Sequence, residues 1–303
     1  MIKTQPLRIS IVTPAFNSVE TIADTIESVA SQHYPNVEHI VMDGGSRDGT
    51  VEIISERAAK LAFWISQADG GQYDAIAKGL NRTSGDICGW LNADDMLMPH
   101  ALHVIDKIFS TFPDVAWISS LQPGSWDTDG FLAGFDRTPG FSRAAFLDGL
   151  FLPGTRRLGY WIQQESTFWR RSLWNPDAEE ALRSCSLAGD FALWAHFFRS
   201  SELVGVDYPL AGFRSRAGQR SQDIEAYMVE ATSVLRKACV GREQRARKST
   251  PLLYHAARGA LTASPSLDGY MRGRFGYGGI RVRNADLRQG GGRWVLEHYP
   301  FWP

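Results

Sequence analysis

Four carboxylates follow segments that look like buried strands in the first third of the chain: Asp43, Asp69, Asp94 and Asp95. Adjacent anions such as Asp94 and Asp95 repel each other unless a cation or hydrogen-bond donors compensate their charge. Hard cations such as Mg²⁺ and Mn²⁺ take oxygen ligands and are held by one or two carboxylates together with substrate phosphates. The pattern therefore predicts a divalent cation that carries a phosphorylated ligand. The alternative is that Asp95 caps the helix near Pro99 and Asp94 is a loop acid.

Short apolar segments alternate with segments of helical periodicity through the first 120 residues. Strands are predicted at 7–13, 37–42, 61–66, 87–91 and 115–119, with a helix after each of the first four. This alternation predicts parallel pairing, helices on both faces of the sheet, and a ligand beyond the carboxyl ends of the strands. The acids named above would then gather along one edge of the sheet.

The first helix has a candidate capping signal. Asn17 precedes its apolar positions, and Glu20 follows three residues later, which predicts a capping box.

The pattern is less regular from 121 to 235, where glycine, proline and aromatic residues are frequent. Two helices are nevertheless predicted, one with its apolar face at 191–198 and one at 224–235. Asp190 stands at the start of the first of these helices.

The last segment, 236–303, is basic. It contains 13 Arg and Lys against 4 Asp and Glu, a formal charge of +9, so the rest of the chain carries −10. We expect a helical and looped appendage that packs Tyr254, Trp294, Phe301 and Trp302 on the body and turns its arginines outward. Such a surface suits anionic lipid headgroups. A solvated basic surface is the alternative use of the charge, and dimer contact is the alternative use of the aromatic side chains.

Several classes of protein are disfavoured by what the sequence lacks. No stretch of 18 uncharged apolar residues is present, and the N-terminus lacks a signal-peptide layout. Three isolated cysteines show neither metal-ligand spacing nor a disulfide framework, so a cytoplasmic protein is expected. No GxGxxG follows the first strand, which disfavours a dinucleotide oxidoreductase. A nucleotidyltransferase would need a glycine-rich, basic phosphate loop there, and this chain has PAFN. No nucleic-acid partner is predicted.

The motifs, taken together, resemble the family 2 glycosyltransferases of GT-A fold. The matching segments are SIVTPAFNSVETIADTIESVASQ, VMDGGSRDGTVEII, ADGGQYDAIAKGLNRTSGD, WLNADD, QQESTFWRRSLW and AGDFALW, which span roughly residues 8–220 in the order of that family. The resemblance implies an α/β fold with a Rossmann-like, mostly parallel sheet flanked by helices. It also implies a nucleotide-sugar-binding half at 1–120 and an acceptor-binding, catalytic half at 121–235, followed by the appendage at 236–303.

The resemblance also implies an activity. Relatives move a sugar from a nucleoside-diphosphate-sugar to an acceptor hydroxyl with inversion, assisted by Mg²⁺ or Mn²⁺. The acceptor would be a saccharide or a lipid-linked molecule, in the synthesis of bacterial surface polysaccharide or glycolipid. The enzyme would then work in the cytoplasm, with peripheral contact at the inner face of the plasma membrane. The alternative is a non-catalytic nucleotide-sugar sensor or assembly protein that has kept the pocket and lost turnover.

Donor-binding residues follow from the same resemblance. Pro14, Ala15 and Asn17 should line the nucleotide pocket. Asp43 should accept a hydrogen bond from the base or its ribose, unless it only shapes a turn. Asp69 should lie near the nucleotide. An asparagine that is frequent in the next helix of relatives is here Ala77, which leaves Lys78 as the nearest cation. Lys78 would face phosphate or remain a solvated helix lysine.

The aspartate-x-aspartate signature of the family corresponds to Asn92-Ala93-Asp94 here, so its first acid is missing. Asp94 is the expected metal ligand, and either Asn92 or Asp95 would supply the second polar contact.

In the second half, Asp190 matches the catalytic base of the family, with a plain helix N-cap as the alternative. Glu165 is expected near the acceptor or in support of Asp190. Arg214, in a segment with Arg216 and Gln219, would close over the diphosphate or stay solvated. His100 and His103 are expected at the surface.

Overall fold

The protein is built on a nine-stranded mixed sheet, seen in a computed structural model that describes residues 5–152, 160–216, 218–219, 223–239, 269, 272–274, 276–285 and 292–301. Thirteen strands are described: β1 Ile9–Ala15, β2 Val37–Asp43, β3 Phe63–Ser66, β4 Ile87–Trp90, β5 Met96–Leu97, β6 Trp117–Ser120, β7 Gly124–Trp126, β8 Leu132–Phe135, β9 Thr167–Arg170, β10 Leu203–Val206, β11 Ala211–Arg214, β12 Tyr277–Asn284 and β13 Trp294–Phe301. The main sheet has the order β13-β12-β10-β6-β9-β4-β1-β2-β3. Most neighbours pair in parallel, whereas β9 runs antiparallel between β4 and β6.

Helices cover both faces of this sheet: α1 Ile22–Ala30, α2 Thr50–Glu56, α3 Gln72–Leu80, α4 Ala101–Thr111, α5 Arg143–Leu147, α6 Pro176–Arg183, α7 Gly189–Phe197 and α8 Ile224–Ala238. Alternate residues of β1 enter different cores. Val12 packs with the aromatic cluster that includes Trp90 and Trp194, whereas Ile9 packs on the opposite face with Ile105 of α4. This period-2 division is what a strand buried on both faces requires.

The predicted alternation of strands and helices in the first 120 residues is confirmed, and the observed boundaries fall within a few residues of the prediction. The predicted capping box is wrong. α1 begins at Ile22 with Thr21 as its N-cap, and Asn17 adopts a left-handed φ of 47°. Its Oδ1 accepts the Arg47 N–H at 3.1 Å, so Asn17 shapes the loop before the helix.

A smaller sheet with the order β5-β11-β7-β8 lies beside the main one. β5 directly follows the Asn92–Asp95 segment, and its antiparallel pairing with β11 connects that segment to the chain near Arg214. The small sheet thus brings residues about 120 positions apart in sequence to the same edge.

The described part of the C-terminal segment differs from the expected helical and looped appendage. β12 and β13 form an antiparallel hairpin, and β12 extends the main sheet by pairing in parallel with β10. Phe301 is buried, Trp294 is half-buried, and Arg281 and Arg283 both pair with Glu297. Tyr254 and Trp302 lie outside the described residues. In the described part of the chain, no helix combines the length and apolar character needed to cross a bilayer.

Candidate active site

A cavity of about 690 Å³ opens beyond the carboxyl ends of β1 and β4. Nine of the residues predicted from the sequence line it: Pro14, Ala15, Asn17, Asp69, Asn92, Ala93, Asp94, Glu165 and Asp190. The first seven come from the strand ends of the first half and the loops that follow them, and the last two come from the second half. The fold therefore brings the two groups to one cavity, and leaves Asp43, Lys78, Asp95 and Arg214 outside its lining.

Asp95 and Asn92 occupy different environments although they are three residues apart. Asp95 is fully buried, and its carboxylate accepts the Arg214 backbone N–H and the Asn92 side-chain amide, each at 3.0 Å. Burial, with Asp94 and Glu165 nearby, raises the pKa of Asp95 well above its usual range. Asn92 instead faces the cavity. Of the two candidates for the second polar contact of the signature, the geometry favours Asn92.

Asn92 is fixed by two glutamines. Its side-chain oxygen accepts the Gln72 amide at 2.8 Å, and its nitrogen donates to Gln164 Oε1 at 2.8 Å. Gln164 in turn donates to the Trp90 carbonyl at 2.6 Å. This network determines how Asn92 presents its polar atoms. Sequence reasoning assigned no role to either glutamine, although Gln72 lies in the segment ADGGQYDAIAKGLNRTSGD and Gln164 in QQESTFWRRSLW.

Asp94 lies at the cavity wall with one carboxylate oxygen engaged. Its Oδ2 accepts Arg216 Nε at 2.9 Å and the Gln219 amide at 3.0 Å. The other oxygen, Oδ1, has no hydrogen bond among the described residues. One cation and one amide thus hold the carboxylate, and an oxygen is left for a further ligand.

The donor set around Asp94 fits a cation that is completed by its substrate. In the described parts of the chain, no group of three or more His, Cys, Asp and Glu side chains is arranged to hold a metal ion. Mg²⁺ commonly uses one or two carboxylates plus substrate phosphates and water. Asp94 with its available Oδ1 matches that type of site and does not form a closed, all-protein one.

Asp190 also lines the cavity, where α7 begins. The N-cap of α7 is Ala188, so Asp190 is in the first turn and is not the cap. The Tyr227 hydroxyl lies 3.2 and 3.3 Å from the two carboxylate oxygens of Asp190. Burial raises the pKa of Asp190 to about 6, although hydrogen bonds from the Phe191 amide and the Tyr227 hydroxyl oppose that rise.

Gly189 explains why α7 can begin there. A Cβ at this position would lie 2.5 Å from the Leu182 carbonyl oxygen and 2.8 Å from the Tyr73 ring. Only glycine allows α7 to approach α6 and α3 so closely, and this approach sets the position of Asp190 in the cavity wall.

Glu165 is the second carboxyl of this region. It is only 2 % exposed, and its Oε1 is buried with no hydrogen-bond partner among the residues that the structure describes. Burial raises the pKa of Glu165 to about 8, and the nearby Asp190 and Asp94 add to the rise. At neutral pH this carboxyl is therefore largely protonated and can donate a hydrogen bond.

Asp43 and Lys78 line a second cavity of about 430 Å³, which shares Asp69 with the first. The Asp43 carboxylate accepts the Gly45 and Ser46 backbone N–H groups at 3.0 Å and the Ser66 hydroxyl at 2.6 Å, and also bonds the Ser46 hydroxyl. It therefore shapes its own turn. Lys78 pairs with Asp74 at 2.7 Å and is partly exposed, as a solvated helix lysine would be.

Arg214 is buried and lies away from the cavity, contrary to the expectation that it would reach the diphosphate. Its guanidinium contacts Asp24 at 2.8 Å, while its backbone N–H holds Asp95. The reason is strand alternation, because Arg214 is the last residue of β11 and points into the protein. Arg216, two residues later, has left the strand and lines the cavity. His100 and His103 are exposed, as expected.

Aromatic side chains that sequence reasoning did not single out also line the cavity: Phe16, Tyr73, Trp90, Trp161, Phe213 and Tyr227. Phe16 is 63 % exposed although it is large and apolar. It lies between Ala15 and Asn17, so the loop signal that identified its neighbours could also have identified it.

Comparison with known proteins agrees with these features. Residues 10–133 match the family described as Glycosyl transferase family 2. An uncharacterized glycosyltransferase of Mycobacterium tuberculosis is 34% identical over 145 residues, which are 46% of this chain and 53% of the relative. One from Nostoc sp. is 31% identical over 108 residues, covering 35% of this chain and 34% of that protein. The chain thus spans about half the length of the first relative and about a third of the second.

A solved structure shares the fold. The S. aureus TarS 1-349 complex with UDP-GlcNAc has a TM-score of 0.58, covers 80% of this chain and 70% of that chain, and is 14% identical. Residues 10–133 of this chain are thus similar to glycosyltransferase family 2, and its α/β architecture matches that of structural neighbours with the GT-A fold.

Proposed function

We propose that this protein transfers a sugar from a nucleoside-diphosphate-sugar to an acceptor hydroxyl, with inversion at the anomeric carbon. The observation that carries the proposal is that Asp94 and Asp190, from different halves of the chain, line one cavity. One carboxylate can serve the leaving diphosphate while the other serves the attacking hydroxyl. A non-catalytic nucleotide-sugar-binding protein remains the second candidate, because the first acid of the aspartate-x-aspartate signature is Asn92.

The donor end is proposed around the first-half residues. Pro14, Ala15, Asn17 and Asp69 line the cavity beyond the strand ends, where open α/β sheets bind ligands. TarS, which shares the fold, was solved with UDP-GlcNAc, and this supports a nucleotide-sugar as the ligand class. In this proposal Asp43 acts through the turn that it holds, and Lys78 has a supporting electrostatic role.

A divalent cation, Mg²⁺ or Mn²⁺, is proposed at Asp94. When bound, it would neutralise the negative charge that develops on the departing diphosphate. Asn92 and Ala93 shape the wall beside it. Arg216 and Gln219, which already contact Asp94, are proposed to bind diphosphate oxygens, since a guanidinium matches the geometry of phosphate.

Asp190 is proposed as the general base. A carboxylate with a pKa of about 6 is mostly ionised at pH 7 and is a better proton acceptor than an ordinary aspartate. As the acceptor oxygen bonds to the anomeric carbon, the bond from that carbon to the diphosphate oxygen breaks, and the hydroxyl proton passes to Asp190. Glu165, protonated, would donate a hydrogen bond to a substrate oxygen nearby.

The wider setting is also proposed. The acceptor is a saccharide or a lipid-linked molecule, and the pathway is the synthesis of bacterial surface polysaccharide or glycolipid. Residues 1–120 would bind the donor, and 121–235 would bind the acceptor and supply the base. The basic segment from 236 supports peripheral contact with an anionic membrane from the cytoplasmic side, with self-association through its aromatic residues as the alternative.

A donor panel tests the proposal directly. The protein is incubated with nucleoside-diphosphate-sugars, with Mn²⁺ or with EDTA, and released nucleoside diphosphate is detected by mass. We expect release with at least one donor and its loss in EDTA. Saturable donor binding without release, with acceptors of both classes present, would favour the non-catalytic protein.

A further inference from the structure

α8 contacts the short segment that carries Asp190. Two of its side chains, Tyr227 and Glu230, are one helical turn apart and therefore face the same way. Both reach residues 186–190, which comprise the end of the connection from α6 and the first two residues of α7. α8 thus contacts this segment through polar groups at both its backbone and its carboxylate. Tyr73 of α3 also contacts both, because its hydroxyl donates to the Leu187 carbonyl and hydrogen-bonds the Asp190 carboxylate.

Tyr227 contacts the carboxylate itself. Its hydroxyl lies within hydrogen-bond distance of both Asp190 oxygens, at 3.2 and 3.3 Å. Its ring packs against Trp161 with centroids 5.8 Å apart, and this packing fixes the position of the hydroxyl. A donor that spans both oxygens restricts rotation of the carboxylate about its χ2 angle.

Glu230 holds the backbone just before Asp190. Its carboxylate accepts the N–H groups of Ser186, Leu187 and Ala188 at 3.1, 2.8 and 2.9 Å. Ala188 is the N-cap of α7, so Glu230 binds the N–H of the cap residue and of the two residues before it. A carboxylate at a helix N-terminus is also favoured by the helix dipole.

We propose that Tyr227 and Glu230 are positioning residues, which fix the Asp190 carboxylate and its helix start so that the base faces the acceptor hydroxyl. The inference deepens the proposed function and rests on Asp190 being the base. Tyr227 acts on the orientation of the carboxylate, and Glu230 acts on the backbone that carries it.

Other ionisable groups surround Asp190 and must be considered in any pH measurement. Glu165 approaches from the loop before β9, Tyr73 from α3, and Cys185 from the segment after α6. Of these, Glu165 titrates nearest to neutral pH, so it has to be separated from Asp190 experimentally.

Tyr227→Phe is the first test, because it removes the hydroxyl and keeps the ring against Trp161. We expect kcat to fall about tenfold, the size expected for one hydrogen bond to a charged group. Donor KM and Tm should stay near wild type, and the acid limb of the kcat profile should move to higher pH, since the lost hydrogen bond favoured the carboxylate. Glu230→Gln should lower kcat in the same direction by weakening the bonds to the backbone.

Tyr277→Phe is the matched control. Tyr277 also donates to a carboxylate, Asp148 at 2.9 Å, but it lies outside the cavity lining. The kcat and pH profile of Tyr277→Phe should match those of the wild type. If Tyr227→Phe also matched wild type in both, or lowered only Tm, the positioning role would be wrong.

A readout that is independent of turnover separates this inference from the proposed function. The Asp190 carboxyl carbon is followed by NMR against pH, assigned with Asp190→Asn, in wild type, Tyr227→Phe and Glu165→Gln. An upward-shifted titration in Tyr227→Phe supports the contact even if no donor is ever turned over. An unchanged Asp190 titration overturns it even if Asp190→Asn abolishes transfer.

Discussion

Asp94 and Asp190 line the same cavity, but their carboxylates are held in different ways. Asp94 is bonded by Arg216 and Gln219 from the segment after β11, so a cation and an amide already face it. Asp190 is bonded by a tyrosine hydroxyl and a backbone amide, and burial raises its pKa. The first environment suits a group that stays charged beside phosphates, and the second suits a group that takes up a proton. Two aspartates thus acquire separate chemistry from their surroundings alone.

Substitution of Asp190, the proposed base, should have the largest effect. Asp190→Asn removes the proton acceptor and keeps the shape, so we expect transfer to fall by about 10³-fold, within the usual range for general-base loss. Donor binding, measured by calorimetry, should change less than twofold. Asp148→Asn is the control, because that carboxylate also accepts a tyrosine hydroxyl but at a distance from the cavity. Wild-type transfer by Asp190→Asn would remove it as the base.

Substitution of Asp94, the proposed metal ligand, should affect donor binding first. Asp94→Ala should weaken donor binding in Mn²⁺ by at least about 10- to 100-fold, since loss of even an outer-shell partner of a metal site costs that much. In EDTA the variant and the wild type should bind donor equally weakly. If the variant kept wild-type, Mn²⁺-dependent binding in titration calorimetry, Asp94 would not be the ligand.

Two arginines sharpen the comparison, because they are two residues apart and lie in opposite environments. Arg216→Met should raise donor KM about tenfold with little change in Tm, since it faces the cavity. Arg214→Met should reduce the free energy of unfolding by about 2 kcal/mol, because it breaks a pair with Asp24 in which Arg214 is buried. Donor KM and thermal stability are measured for both variants. A stability loss in Arg216→Met together with a raised donor KM in Arg214→Met would contradict the roles given to the two arginines.

The smallest effect is expected at Glu165, in stability against pH. Its folded-state pKa, about 8, lies above its unfolded value, so its favourable protonated form is lost as pH rises through 8. Glu165→Gln should therefore gain stability over wild type by roughly 1 to 2 kcal/mol at pH 9, and little at pH 5. Denaturant unfolding at both pH values checks this, and an equal difference at both would show that titration of Glu165 is not involved.

The first half of the chain was largely predictable from sequence because local rules apply there. Alternating apolar segments give β1 to β4 and their helices, and a parallel sheet places strand-ending residues such as Asp69 and Asp94 on one edge. The prediction was wrong about the cap at Asn17, where a contact with the Arg47 backbone from another loop decides the conformation.

The second half was less predictable because its arrangement depends on contacts between distant segments. Nothing near Asp190 in sequence indicates that Tyr227, 37 residues later, would reach it. Whether Arg214 is buried depends on which way the last residue of β11 points. A strand of four residues has too little periodicity to predict that direction. The C-terminal hairpin was missed because glycine weakens a strand pattern, whereas Gly278 and Gly279 lie inside β12.

That hairpin ties the last described residues to the middle of the protein. β12 covers the side of β10 that β6 leaves unpaired, and Val282 and Phe301 are both buried there. A shortened chain ending before residue 276 would uncover a row of unpaired backbone groups along β10, which is the kind of edge that promotes association between molecules. Truncations designed to remove the basic segment should therefore excise it internally and retain 276–301.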